Sequence, residues 1–297
     1  MRICDAHCDT LFEMAVRPDK KYDIDLDRLK RGGVSLQTMA MYVGPKPDLA
    51  AVQALFDQML AAFEQLKAEG WQQAMDPSEA QAGEVKMMLA IEGCEVFAPG
   101  LHTIKKYHDL GVRMATVTWN YENALATPHC VDATTGLKPY GLEAVREMQR
   151  LKMAVDISHL NEAGFWDILN RTEVPPMASH SCCRAIKDHT RNLTDDQLKE
   201  LFARGGFVGL NFYPAFLTTG PCTLDTVMDH FDHMMAMGGA GKIGFGSDFD
   251  GIETKPQGLD NPLDYPALIQ KLRDRGYSEQ QVRSIAGEAM IDYFARI

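Results

Sequence analysis

Short runs rich in apolar and β-branched residues alternate along this chain with longer stretches whose apolar positions recur at helical spacing. Val52, Leu55, Phe56, Met59, Leu60, Phe63 and Leu66 fall on one face of a predicted helix over 49–69. Eight short runs predict strands at 2–5, 34–42, 85–91, 113–119, 154–158, 176–179, 206–212 and 242–246. Further helices are predicted at 103–110, 141–151, 162–170, 195–203, 224–237, 264–273 and 279–295. Two of these open on capping boxes, Thr194 with Gln197 and Ser278 with Gln281.

Eight strand-then-helix alternations predict an α/β fold, a (β/α)8 TIM barrel forming one domain over residues 1–297. A doubly wound open sheet would want a Gly-rich phosphate turn after an early strand, and the turn after 2–5 has none. The stretch 44–75 is long for one unit and reads as that unit's helix.

Composition narrows the partners. The chain has 297 residues, 45% hydrophobic and 24% charged, with a formal net charge of -11. That balance argues against nucleic acid, whose phosphates need clustered Lys and Arg. Seven cysteines, an odd number without a C-x-x-C pair, argue against a disulfide framework and for a reducing compartment. No leader-like segment precedes the first strand and no apolar run reaches membrane-span length, so the expectation is a cytoplasmic protein without a membrane partner. A homodimer is left open.

Barrel chemistry sits at the C-terminal ends of strands. Here those ends carry His7 and Asp9, then Glu92, then His159, then His180, then Asp248 with Asp250. Singly, each has an ordinary explanation. His159 alone reads as a hydrogen-bonded histidine, Glu92 as a helix cap, and Asp248-x-Asp250-Gly251 as a turn or an incomplete calcium loop. Together, on five strand ends, they predict a metal centre. The remaining histidines (102, 108, 129, 189, 230 and 233) read as structural or surface residues. Cys8 points away from the His7–Asp9 face, and no cysteine spacing completes a zinc set. Charge favours two ions, because one divalent cation leaves three carboxylates under-compensated. Glu92 can bridge such a pair.

The stretches Asp5-Ala6-His7-Cys8-Asp9, Ile91-Glu92-Gly93, Asp156-Ile157-Ser158-His159, Ser179-His180-Ser181, Arg191-Asn192-Leu193-Thr194-Asp195-Asp196, Asn211-Phe212-Tyr213 and Gly246-Ser247-Asp248-Phe249-Asp250-Gly251 together resemble the renal (membrane) dipeptidase family of zinc hydrolases. The resemblance implies a metallo-dipeptidase with two Zn2+ ions bridged by Glu92 and a hydroxide. His7 and Asp9 would bind one ion, and His159 and His180 the other. Asp248 would shuttle the proton and Arg191 would grip the substrate carboxylate. Tyr213, Trp119 and Asn123 are expected as further substrate contacts.

One departure stands out. Trp119 fills the position where familiar members carry a His that contacts the tetrahedral oxygen. An indole N–H donates one hydrogen bond but carries no charge. That task would pass to zinc, Asn120, Asn123 or His129. Trp119 also keeps an alternative in view, a metal hydrolase of the same scaffold acting on N-acyl amino acids or lactones. A barrel that binds metal without catalysis is the third reading, and the intact acid and histidine set argues against it.

Overall fold

The computed structural model describes residues 1–46 and 48–297. Eight parallel strands close into a barrel: β1 (Ile3–Asp5), β2 (Val34–Tyr42), β3 (Lys86–Glu92), β4 (Val112–Thr116), β5 (Ala154–Asp156), β6 (Met177–Ser181), β7 (Phe207–Leu210) and β8 (Ile243–Phe245). Each pairs with its neighbours, and β1 pairs with both β2 and β8, which completes the ring. Helices return the chain outside it. A two-residue strand, Gln72–Gln73, pairs with β3 in addition to the ring.

Alternation along the strands builds two apolar layers. On β3, Met87, Leu89 and Ile91 join the cluster between sheet and helices, whereas Met88 and Ala90 join the barrel interior. The period of two then carries Glu92 inward at the strand's C-terminal end. With helices outside and a filled interior, the strands are buried on both faces, as a parallel sheet requires. The terminal helix Ala289–Arg296 supplies Ala289, Met290 and Tyr293 to the inner cluster and plugs the opposite end.

The expected strands fall within a few residues of those observed, and both capping boxes form. Three differences have local causes. The helix Thr10–Val16 starts directly on Asp9, and Leu26–Gly32 starts on Asp25, whose carboxylate accepts from the Arg28 amide; both are too short for a clear helical period. The continuous helix expected over 279–295 is divided by a π turn, Ser284–Glu288. There Gly287 lies so near β1 that a Cβ would stand 2.8 Å from Cys4 Sγ and 2.9 Å from the Arg2 carbonyl oxygen. Among the described residues, no helix is long and apolar enough to cross a membrane.

Candidate metal centre

The C-terminal mouth of the barrel gathers the chemistry. His7 Nε2 lies 3.6 Å from Asp9 Oδ2, 3.6 Å from Glu92 Oε2 and 3.8 Å from Asp248 Oδ1. The other carboxylate oxygen of Glu92 lies 3.0 Å from His159 Nε2 and 3.2 Å from His180 Nε2. Among the described residues, three overlapping groups could hold an ion: His7 with Asp9 and Glu92, Glu92 with His159 and His180, and His7 with His180 and Asp248. Within each group the ligand atoms all lie within 4.8 Å of one another.

Two turns make this convergence possible. His159 (φ 66°) and Asp248 (φ 65°) occupy the left-handed region, which side chains other than glycine rarely adopt. Each turns its side chain into the cluster just past its strand. Gly251 lets the β8 loop run against Asp9, because a Cβ there would collide with Asp9 Oδ2. Asp250 is not part of the cluster. It accepts from Thr10 Oγ1 (2.7 Å) and from the amides of Asp23 (2.7 Å) and Ile24 (3.4 Å), tying two rim loops together.

Beneath the ligands lie two buried aspartates. Asp5 Oδ1 accepts from the Ser247 amide (2.8 Å), and Oδ2 accepts from Ser247 Oγ (2.5 Å) and the Tyr265 hydroxyl (2.8 Å). Asp156 Oδ1 accepts from the amides of Ser179 (2.8 Å) and Ser158 (3.0 Å), and Oδ2 accepts from Ser179 Oγ (2.6 Å) and Thr116 Oγ1 (2.5 Å). Each clamps a serine on the neighbouring strand segment, and the residue after that serine is a site residue, Asp248 or His180. Neither aspartate was expected to have a role. The available signal was an acid inside an apolar run, two residues before another polar side chain.

Hydrogen bonds also choose the tautomers. Ser179 Oγ gives its proton to Asp156, so it accepts from His180 Nδ1 at 2.7 Å and leaves Nε2 as a lone pair. Asn120 Oδ1 accepts from His159 Nδ1 at 2.8 Å, which leaves that Nε2 bare as well. The two bare nitrogens face each other at 3.1 Å. His7 is packed face to face on His180 at 3.8 Å, and neither of its ring nitrogens has a partner among the described residues. Asp9 Oδ1 is likewise buried without a partner.

Opposed lone pairs and orphaned buried ligand atoms fit a bound cation. The electrostatics agree. Burial, with Asp9 and Asp248 nearby, pushes the Glu92 carboxyl well above its usual range, although His7 opposes this. Burial raises Asp248 to about 6. Burial works against the charged form of His7, yet Glu92 and Asp9 outweigh it and hold that group at about 10. Burial drives His159 and His180 well below the ordinary histidine value. The acids around His7 thus favour a cation in their midst, whereas His159 and His180 stay neutral. The residue types and spacing suit a pair of divalent ions sharing Glu92.

A cavity of about 440 Å³ opens over these residues. Phe12, Tyr42 and Trp119 line one side, and Tyr213 and Phe216 the other. Arg191 is buried behind Phe216, with its guanidinium carbon 5.8 Å from that ring. Its Nη1 donates to Ser181 Oγ at 2.8 Å, while Nε and Nη2 are buried and unpartnered. Asn211 Nδ2 donates to Asp248 Oδ2 at 2.9 Å, an orienting contact from a residue that the sequence placed in a family-like stretch without a role.

Asn123 corrects an expectation. Its amide nitrogen donates to the Val117 carbonyl and its oxygen accepts from the amides of Leu125 and Ala126, so a local turn consumes the side chain and keeps it from the cavity. Asn120 lines the cavity instead. His129 also holds Asn120 Oδ1, at 3.2 Å.

Comparison with known proteins adds family context. A family model described as membrane dipeptidase, peptidase family M19, matches residues 1–294. An uncharacterized dipeptidase of Schizosaccharomyces pombe is 38% identical over 212 residues, covering 70% of this chain and 52% of the relative. A dipeptidase of Aspergillus oryzae is 30% identical over 286 residues, covering 89% and 67%. The chain thus spans about half the length of the fission yeast relatives it matches. A Rhodobacter sphaeroides metallopeptidase, solved with a phosphinate mimic of the dipeptide L-Ala-D-Ala, superposes with a TM-score of 0.91 at 27% identity, covering 100% of this chain and 99% of that one.

Proposed function

The chain belongs to the membrane dipeptidase family, peptidase family M19, and from that premise we propose that it is a zinc-dependent dipeptidase. The carrying observation is that two ligand groups, His7–Asp9–Glu92 and Glu92–His159–His180, share one carboxylate. Each group would hold one Zn2+, with Glu92 bridging. When bound, such a pair supplies a water of lowered pKa and polarises the scissile carbonyl.

The chain's own groups do the rest. Asp248, aimed inward by its left-handed backbone and oriented by Asn211, takes the proton of the attacking water at Oδ1. It returns that proton to the departing amine nitrogen. Arg191, buried beside the cavity with Nε and Nη2 unpartnered, would bind the substrate carboxylate, and a planar fork suits that partner. Anchoring through a terminal carboxylate favours dipeptides over longer chains.

Metal content measured alongside dipeptide hydrolysis tests this. Two metals per chain are expected, with turnover lost on chelation and restored by zinc. Asp248→Asn should keep both ions and lose on the order of 10²–10⁴ in kcat. Unchanged turnover in that variant removes Asp248 from its role. Trp119, in place of a cationic donor, favours a second reading, hydrolysis of N-acyl amino acids or lactones. Good acyl or lactone cleavage without peptide turnover would establish it.

A further inference from the structure

The aromatic side of the cavity has no part in holding metal or moving protons. Phe12 meets Tyr42 edge-on at 4.7 Å, and Tyr42 meets Trp119 edge-on at 4.6 Å. Trp119 stands 6.1 Å from the His159 ring, so this apolar wall begins beside the reacting centre. Its members come from the ends of β1, β2 and β4. Arg191, Tyr213 and Phe216 come from the segments after β6 and β7, across the ring.

Sidedness follows from that placement. A dipeptide held by its carboxylate at Arg191, with its carbonyl over Glu92 and Asp248, points its N-terminal residue away from β6 and β7. That residue arrives at Phe12, Tyr42 and Trp119. We infer that these three side chains form a specificity subsite for a large apolar or aromatic side chain on the N-terminal residue, with Trp119 its principal determinant. This rests on the dipeptidase reading above.

Trp119 carries the most weight because its half-buried indole extends a flat face beside His159, where a charged ring would prefer water or an anion. Edge-on packing against Tyr42 fixes that face in place. Burying a Phe or Leu side chain against it gives a preference over Gly on the order of 10–100-fold in kcat/KM.

The test compares Gly-Ala, Ala-Ala, Leu-Ala and Phe-Ala on the zinc-loaded protein and on Trp119→Ala and Trp119→Phe. The expected result is a kcat/KM that rises from Gly-Ala to Phe-Ala. The Phe-Ala to Gly-Ala ratio should collapse in Trp119→Ala and largely recover in Trp119→Phe. Equal turnover of Gly-Ala and Phe-Ala by the unaltered protein overturns the subsite, as does an unchanged ratio in Trp119→Ala. Turnover of none of the four peptides by protein carrying two metals overturns the dipeptidase reading instead.

Discussion

Asp5 and Asp156 make nearly the same clamp at two places in the barrel and end with different results. Each takes an amide and a hydroxyl from one serine on the next strand segment, Ser247 or Ser179. A third side chain completes each, Tyr265 for Asp5 and Thr116 for Asp156. The difference lies in what the serine touches next. Ser179 Oγ reaches the ring of His180, so that clamp sets an imidazole's tautomer. Ser247 Oγ instead meets backbone groups, the His7 oxygen at 3.1 Å and the Phe249 amide, from which it accepts at 3.1 Å, and leaves the His7 ring free. One clamp therefore orients an imidazole of the cluster, whereas the other positions a turn.

The largest expected effect breaks both clamps alike. Asp156→Ala and Asp5→Ala each strand several buried donors and should each cost roughly 3–5 kcal/mol in urea unfolding. A loss near zero in one of them would show that its clamp is not a fastener of the barrel.

Next comes a histidine whose two nitrogens are both occupied, in contrast to His7. His230 Nδ1 accepts from the Cys183 amide and Nε2 donates to the Leu217 carbonyl, and burial lowers its pKa to about 4. The unfolded chain takes up that proton near pH 6.5, so the folded state binds fewer protons between the two values. Stability should therefore fall as pH drops through this window, by about 3 kcal/mol from this group. Unfolding curves at pH 7, 5.5 and 4.5 check it, and His230→Gln should flatten the slope by that share.

The finest distinction is between the two serines. Ser179→Ala frees His180 Nδ1 and should weaken zinc binding on the order of 10–100-fold, with Ser179→Thr restoring it. Ser247→Ala should cost stability but shift zinc affinity far less. Competition with a coloured chelator reads both, and equal losses of affinity would erase the contrast.

Much of this was legible beforehand because strand ends are recognisable. An apolar run that stops on His, Glu or Asp carries its own position in a barrel, which is why His7, Asp9, Glu92, His159, His180 and Asp248 converge as expected. Asn123 was misjudged because its sequence neighbourhood resembles a strand end, while its two hydrogen-bonding groups satisfy a tight turn that only the fold reveals. Asp5 and Asp156 stand in the family-like stretches but gained no role from the sequence, because a buried acid's partners lie on another strand. For Asp5, Ser247 is more than 240 residues away in sequence.

The left-handed backbone at His159 and Asp248 has an evolutionary consequence. Glycine at either position would relax the local conformation while deleting a side chain that the centre uses. On the proposed mechanism, stability and activity therefore pull in opposite directions at these two residues. A library selected for thermal resistance alone should drift toward glycine there, and one selected for turnover should hold both residues fixed.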